Sequence, residues 1–415
     1  MPAWKNLVAA ALTAAACAGG AAAATEPLKV LFVGNSYTFG RVDPVMSYRA
    51  GDVTDMTWAM WLANPAGSNA FEPHPWGGVP AIFSALAGQA GIAVEVSLST
   101  RNAASLRGHL LNTNSAGWDL RGNIGAQGWD KVVLQEQSDE VLPRMDGLGS
   151  RPEYTQVYAD LIEDWVHQGS ALTYRERDFI GGSQEACVAL GYSSGSCSSV
   201  RNLPANASAR ADTEVYLYQT WARPNLVDGA FVTVTDELTG EVTRTDTPAT
   251  TFYASLDAMT ADLVAGYQTT VDLAAADGSG GFAGIAPVGQ SFLRAVTEGV
   301  ATRDMWAPDA GTDGLIDLWF DDGTHASKYG SYLSGLTLFG TLTGLDPAMF
   351  GAGETVALEL GIAPADALAL QRIASLQLGF TPPVSDAPTG ATMLLGLAAL
   401  AAWRRRRDAA APTGA

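Results

Sequence analysis

The 415-residue sequence predicts an α/β domain built on a parallel sheet with helices on both faces. Short apolar runs rich in β-branched or large side chains recur along the chain. Stretches of helical period lie between several of them. The composition, 47% hydrophobic against 16% charged, supports an ordinary buried core and excludes a disordered chain or a disulfide-stapled miniprotein. Strand alternating with helix is the pattern of parallel crossover connections.

The predicted strands are Leu28–Val33, Ile92–Leu98, Lys131–Gln135, Glu214–Thr220 and Phe282–Pro287. Helical spacing marks Val79–Ala90, which stops at Gly91, and Tyr154–His167, which stops before Gly169. It marks Ser255–Ala275, Ser291–Glu298, Tyr329–Gly340 and Ala365–Gln377 as well. Arg41–Gly78, rich in Trp, Pro and Gly, and Gly169–Thr213 break the alternation and read as insertions into the domain.

Both ends read as addresses. Residues 1–24 have the order of an export signal: Lys5, an apolar run from Leu7 to Cys17, and a small-residue cleavage site at Ala22–Ala24. A lipoprotein reading at Cys17 is disfavoured by Ala14 where a large aliphatic is usual. At the other end, residues 384–415 hold the apolar segment Thr389–Trp403 followed by Arg404–Arg407. At ~1.5 Å per residue that segment spans roughly 22 Å, short of the ~30 Å hydrocarbon core. The arginines predict a cytoplasmic C-terminal side. This tail resembles the PEP-CTERM sorting signals, although Val384-Ser385-Asp386-Ala387-Pro388 replaces their Pro-Glu-Pro signature. The resemblance implies a sorting protease, an exosortase, as a partner; a single-span anchor is the alternative. The expected location is periplasmic, cell-surface or extracellular.

A formal net charge of −19 excludes nucleic acid and anionic lipid as partners. With Cys17 in the signal, Cys187 and Cys197 remain, ten positions apart in a Gly/Ser-rich loop, and an exported protein would join them in a local disulfide. No further His or Cys lies near enough to make a metal site of them.

Ligands of an open parallel sheet gather beyond the carboxyl ends of its strands. After the first strand comes Gly34-Asn35-Ser36-Tyr37-Thr38, after the third Gln135-Glu136-Gln137-Ser138, and late in the domain Asp321-Asp322-Gly323-Thr324-His325. A serine is a poor nucleophile unless a base activates it and a third group orients the base. Ser36, His325 and Asp322 are the residues of this sequence that fit those three roles.

The blocks LKVLFVGNSYT (Leu28–Thr38), WDKVVLQEQS (Trp129–Ser138) and DGTHASKYGSYL (Asp322–Leu333) resemble the SGNH, or GDSL-like, hydrolases over most of Leu28–Gly344. The resemblance implies a flavodoxin-like three-layer sandwich with a five-stranded parallel sheet, placed in residues 25–383 with insertions at about 41–78 and 169–213. It implies esterase or acylhydrolase activity without cofactor or metal, with Ser36 as nucleophile and Asp322 and His325 as its partners. It also implies an oxyanion hole from the Ser36 N–H, the Gln137 amide where the family has Asn, and a backbone N–H at Asn102 or Ala103 where the family has Gly.

Other motifs carry less. Gly191-Tyr192-Ser193-Ser194-Gly195 matches the hydrolase elbow G-x-S-x-G but lacks the strand before and helix after it, and reads as a flexible loop. Asp309, Asp313, Asp317 and Asp321 imitate a calcium loop whose twelfth position is Phe320 instead of Glu. Glu136, His74 and His109 read as structural. The function expected is an exported serine ester hydrolase acting on an acylated carbohydrate or other envelope ester. A lipid or small-ester acylhydrolase, or a glycan-binding protein on the same fold, are the alternatives.

Overall fold

The computed structural model describes residues 26–63, 74–113, 119–227, 231–235, 242–248, 251–307 and 310–380. The signal segment 1–24 with Cys17, the tail 384–415 and Asp309 lie outside the described residues.

Six parallel strands form the central sheet: β1 (Leu28–Gly34), β2 (Thr54–Asp55), β3 (Val94–Thr100), β4 (Lys131–Gln135), β5 (Glu214–Tyr218) and β6 (Gly284–Ala286). Their order across the sheet is β6-β5-β4-β1-β3-β2. All five expected strands are present, but the expected count of five is one short. The sixth, β2, is a two-residue strand from the first insertion that pairs Thr54 with Ser97 and Asp55 with Leu98. Two residues carry no periodicity, so the sequence pattern could not mark it. Without β2 the order is that of flavodoxin-like doubly wound sheets, and the direction of winding reverses between β1 and β4, which opens a crevice at their carboxyl ends.

Val30–Val33 of β1 and Val132–Gln135 of β4 are buried at every position rather than alternately, so both faces of the sheet are covered. One group of helices is α2 (Gly78–Gln89), α7 (Lys328–Thr343) and α8 (Pro364–Gln377), with α7 packed on both others. The second is α3 (Leu106–Leu111), α4 (Pro152–His167) and α5 (Leu256–Ala276), with α4 packed on both others. Helix α6 (Val288–Thr297) touches α5, α7 and α8. A four-residue helix, α1 (Ser36–Phe39), follows β1 directly.

The second insertion is ordered. Leu172–Arg175 pairs antiparallel with Val200–Leu203, and three short helices lie between them. A disulfide joins Cys187 to Cys197, linking the helices Gln184–Ala189 and Ser194–Ser198. The flexible loop expected at Ser193 is instead a helix cap, its Oγ accepting from the Ser196 N–H at 3.0 Å. A further antiparallel pair, Phe231–Thr235 with Val242–Pro248, lies between β5 and α5. Among the described residues no helix is long and apolar enough to cross a membrane.

Candidate active site

The crevice between β1 and β4 is where the sequence blocks converge. Beyond Gly34 the chain turns sharply into α1, and Asn35 shapes the turn. Its Oδ1 accepts from the Tyr37 N–H at 3.1 Å, its Nδ2 donates to the Ala104 carbonyl at 3.0 Å, and its N–H donates to Gln135 Oε1 at 2.8 Å. Gln135, fully buried at the end of β4, also accepts from Thr38 Oγ1 at 2.9 Å. A Cβ on residue 34 would lie 2.3 Å from Thr38 Oγ1 and 2.5 Å from Gln135 Oε1, so this turn requires Gly34. Ser36 is the first residue of α1 and is 5% exposed.

Ser36 Oγ lies 2.9 Å from His325 Nε2, and His325 Nδ1 lies 2.5 Å from Asp322 Oδ2. A carboxylate only accepts, so Nδ1 carries the proton and Nε2 accepts from the serine hydroxyl. The other oxygen, Asp322 Oδ1, accepts from the N–H groups of Thr324 (2.8 Å) and His325 (2.9 Å), an Asx turn that aims the imidazole. Burial pushes the Asp322 carboxyl up, but the hydrogen bond and charge of His325, with these two N–H groups, outweigh it and hold the carboxyl below its usual value. The turn is locked from behind. Trp221 Nε1 donates to the Thr324 carbonyl at 3.0 Å, and Tyr37 stacks on Trp221 at 4.1 Å while meeting the His325 ring edge-on at 5.7 Å.

The other expected oxyanion groups lie on this turn and on the segments next to it in the sheet. The Ser36 N–H, at the first position of α1, makes no hydrogen bond among the described residues, as expected of a helix start. Gln137 follows β4. Its amide oxygen accepts from the Asp139 N–H at 2.9 Å, which leaves its NH₂ as a donor. The loop of Asn102 and Ala103 is fastened to the Ser36 turn by Arg101 N–H to the Gly34 carbonyl at 3.2 Å. Ala103 has φ +53°, the left-handed region where glycine is usual, so the backbone of the second block is bent in a way that suits Gly although the residue is Ala.

Sequence reasoning did not single out Gln135, Tyr37, Trp221 or Arg223. Arg223 Nη1 donates to Ser138 Oγ at 3.0 Å, beside Gln137. Each of these residues acts on the turn of another, distant segment, so no local pattern signals it. The histidines and acids read as structural are all engaged. His109 Nε2 donates to the Gly34 carbonyl at 2.8 Å, and burial lowers its pKa to about 4. His74 Nδ1 lies 2.6 Å from Asp55 Oδ2, which also accepts from the Trp76 N–H. Glu136 is buried under the site, its Oε1 accepting from the N–H groups of Leu106 (2.9 Å) and Gln137 (2.7 Å). Burial, with the charge of Glu140, raises the Glu136 pKa to about 8. Ser193 is exposed on the second insertion, and its Oγ bonds Ser196. Of the imitation calcium loop, Asp313 is spent on Thr302 Oγ1 and the Leu315 N–H. The carboxylates of Asp160, Asp164 and Asp277 each place an oxygen within 4.8 Å of the others. They lie near the start of β5, at the opposite end of the sheet from Ser36.

No family model matches the chain, and no curated protein matches it. Solved structures that overlap it include a candidate SGNH hydrolase from Slackia heliotrinireducens, at 17% identity and TM-score 0.35, covering 76% of this chain and 100% of that one. A DUF4886 family protein from Bacteroides uniformis overlaps at 13% identity and TM-score 0.41, covering 85% of this chain and 95% of its own. A gut microbial diltiazem-metabolizing enzyme overlaps at 10% identity and TM-score 0.31, covering 76% of this chain and 47% of its own, about half its length. Overlap of this degree says nothing of activity, and function is argued from the geometry around Ser36.

Proposed function

We propose that this chain is an exported serine ester hydrolase of the SGNH type that removes acyl groups from a carbohydrate or other envelope ester. The observation that carries the reading is the hydrogen-bonded chain Ser36–His325–Asp322, set at the crevice between β1 and β4. Ser36 Oγ attacks the ester carbonyl as His325 Nε2 takes its proton, and Asp322 stabilises the imidazolium that forms. The developing oxyanion is met by the Ser36 N–H, the Gln137 amide and a backbone N–H of the Asn102–Ala103 loop. Collapse breaks the bond to the alcohol, which leaves with the proton from His325. Water, deprotonated by His325, then attacks the acyl-serine and releases the acid, restoring Ser36.

The disulfide suits an oxidising compartment and supports export. Cleavage after residue 24 and processing of the 384–415 tail by a sorting protease belong to the same proposal, and intact-mass analysis of protein from the native envelope reads both. The catalytic reading is tested by fluorophosphonate labelling with peptide mapping, beside hydrolysis of nitrophenyl esters from acetyl to dodecanoyl and of acetylated glycans. Labelling at Ser36, lost in Ser36→Ala together with all turnover, is expected. Labelling confined to Ser193, or turnover that survives in Ser36→Ala, overturns it. A preference for the long acyl chains would favour a lipid acylhydrolase over the carbohydrate esterase.

A further inference from the structure

We propose that Arg223 is a substrate-recognition residue that binds a carboxylate, so that the preferred substrates are esters carrying an acidic group, such as acylated uronic acids. This rests on the ester-hydrolase reading and names the substrate class of the same site.

Arg223 lies past the carboxyl end of β5, on the ligand-binding edge of the sheet. The segment around it is fixed to the histidine turn on both sides. Trp221 Nε1 donates to the Thr324 carbonyl at 3.0 Å, and the Asn225 N–H donates to the Gly323 carbonyl at 3.2 Å. Its guanidinium is fixed as well, Nη1 donating to Ser138 Oγ at 3.0 Å and Nε to Asn225 Oδ1 at 3.2 Å. Arg223 therefore bridges the β4 loop that carries Gln137 and the turn that carries Asp322 and His325.

Both of those acceptors are neutral. Among the described residues Arg223 pairs with no carboxylate, whereas Arg49, Arg107, Arg144, Arg210 and Arg303 each do. Of the acids around Tyr37, Asp322 is held by His325, and the Asp139 carboxylate makes no ion pair with Arg223. A half-buried guanidinium with no carboxylate bonded to it loses solvation that an anionic ligand would replace. Two of the five guanidinium N–H groups are used, and the rest include both on Nη2, which suits the fork-like recognition of a carboxylate.

The test compares matched pairs of esters in wild type, Arg223→Gln and Arg223→Lys. One pair is an acetylated uronate oligosaccharide with its neutral counterpart, placing the acid on the alcohol side. The other is nitrophenyl hydrogen succinate with nitrophenyl butyrate, placing it on the acyl side. Wild type should prefer the acidic member of one pair by roughly 10- to 100-fold in kcat/KM, the range of a charge-assisted hydrogen bond. Arg223→Gln should abolish that ratio mainly through KM, Arg223→Lys should keep part of it, and added salt should erode it. No preference in wild type, or equal losses on both members of each pair, overturns the proposal and leaves Arg223 a positioning residue. Calorimetric binding of the uronate oligosaccharide to Ser36→Ala, with and without Arg223→Gln, needs no turnover. It therefore separates failure here from failure of the esterase reading. Absence of salt-sensitive, Arg223-dependent binding, with no Arg223-dependent preference in the succinate pair, overturns the proposal.

Discussion

Replacing Glu136 by Gln should make the protein more stable in alkali, not less. The carboxyl is 1% exposed, and one oxygen accepts two backbone N–H bonds that an amide oxygen of the same shape can also accept. What the amide cannot do is ionise. Burial and the nearby Glu140 charge raise the Glu136 pKa from 4.5 to about 8. A group whose folded pKa is raised contributes its stability fully below the unfolded value and loses it as pH rises through the folded value. Its window is therefore pH 4.5 to about 8. At ~1.36 kcal/mol per pH unit the loss across that window is at most roughly 5 kcal/mol. Glu140, raised to about 7 chiefly by burial, adds to the same slope. Urea unfolding of wild type and Glu136→Gln at pH 5, 7 and 9 would show near-equal stability at the lowest pH and a variant ahead by a few kcal/mol at the highest. A variant weaker than wild type by the same amount at every pH would refute the reasoning. It would mean that the two N–H bonds hold Glu136 as a carboxylate.

Gln137→Ala should depress kcat and kcat/KM together by about 10²–10³ if its amide meets the oxyanion; a raised KM at unchanged kcat would make it a binding residue. Gly34→Ala forces a Cβ against Gln135 Oε1 and Thr38 Oγ1, so kcat on a nitrophenyl ester should fall by about 10²-fold, with a smaller effect on KM. Removing both Cys187 and Cys197 should cost about 2–3 kcal/mol for a loop of that length, read as a lower unfolding midpoint that reductant no longer changes.

What the sequence made legible follows from how each feature writes itself into the chain. Strands β1 and β4 are covered on both faces, so their apolar runs are continuous and stand out. Helices α4 and α5 end within two residues of their expected limits because a glycine or a cap marks the boundary: Ser255 Oγ accepts from the Ala258 N–H, for example. Strand β2 and the pair formed by Leu172–Arg175 and Val200–Leu203 were not legible. The former has two residues, and the latter exposes Val200 and Asn202, so neither carries an uninterrupted apolar signature.

The same distinction divides the site. Asp322 and His325 are three residues apart, and their geometry follows from an Asx turn that any reader of Asp-Gly-Thr-His can anticipate. Ser36 announces itself at the end of an apolar strand. The residues behind them are legible only in three dimensions: Gln135 acts on Asn35 from a hundred positions away, and His109 on Gly34 from 75. Their physical role is nonetheless specific. Burial keeps His109 uncharged at neutral pH and holds the Glu136 carboxyl up to about 8, while His325 and two N–H groups keep Asp322 below its usual value. Beside His325 the ionised carboxylate is thus Asp322, while burial disfavours a second negative charge on the carboxyl next to Gln137. A carboxylate at Glu136 would oppose any oxyanion drawn toward the Gln137 amide. The buried polar layer that fastens the Ser36 turn therefore also sets its field, and packing and electrostatics at this site are two consequences of the same side chains.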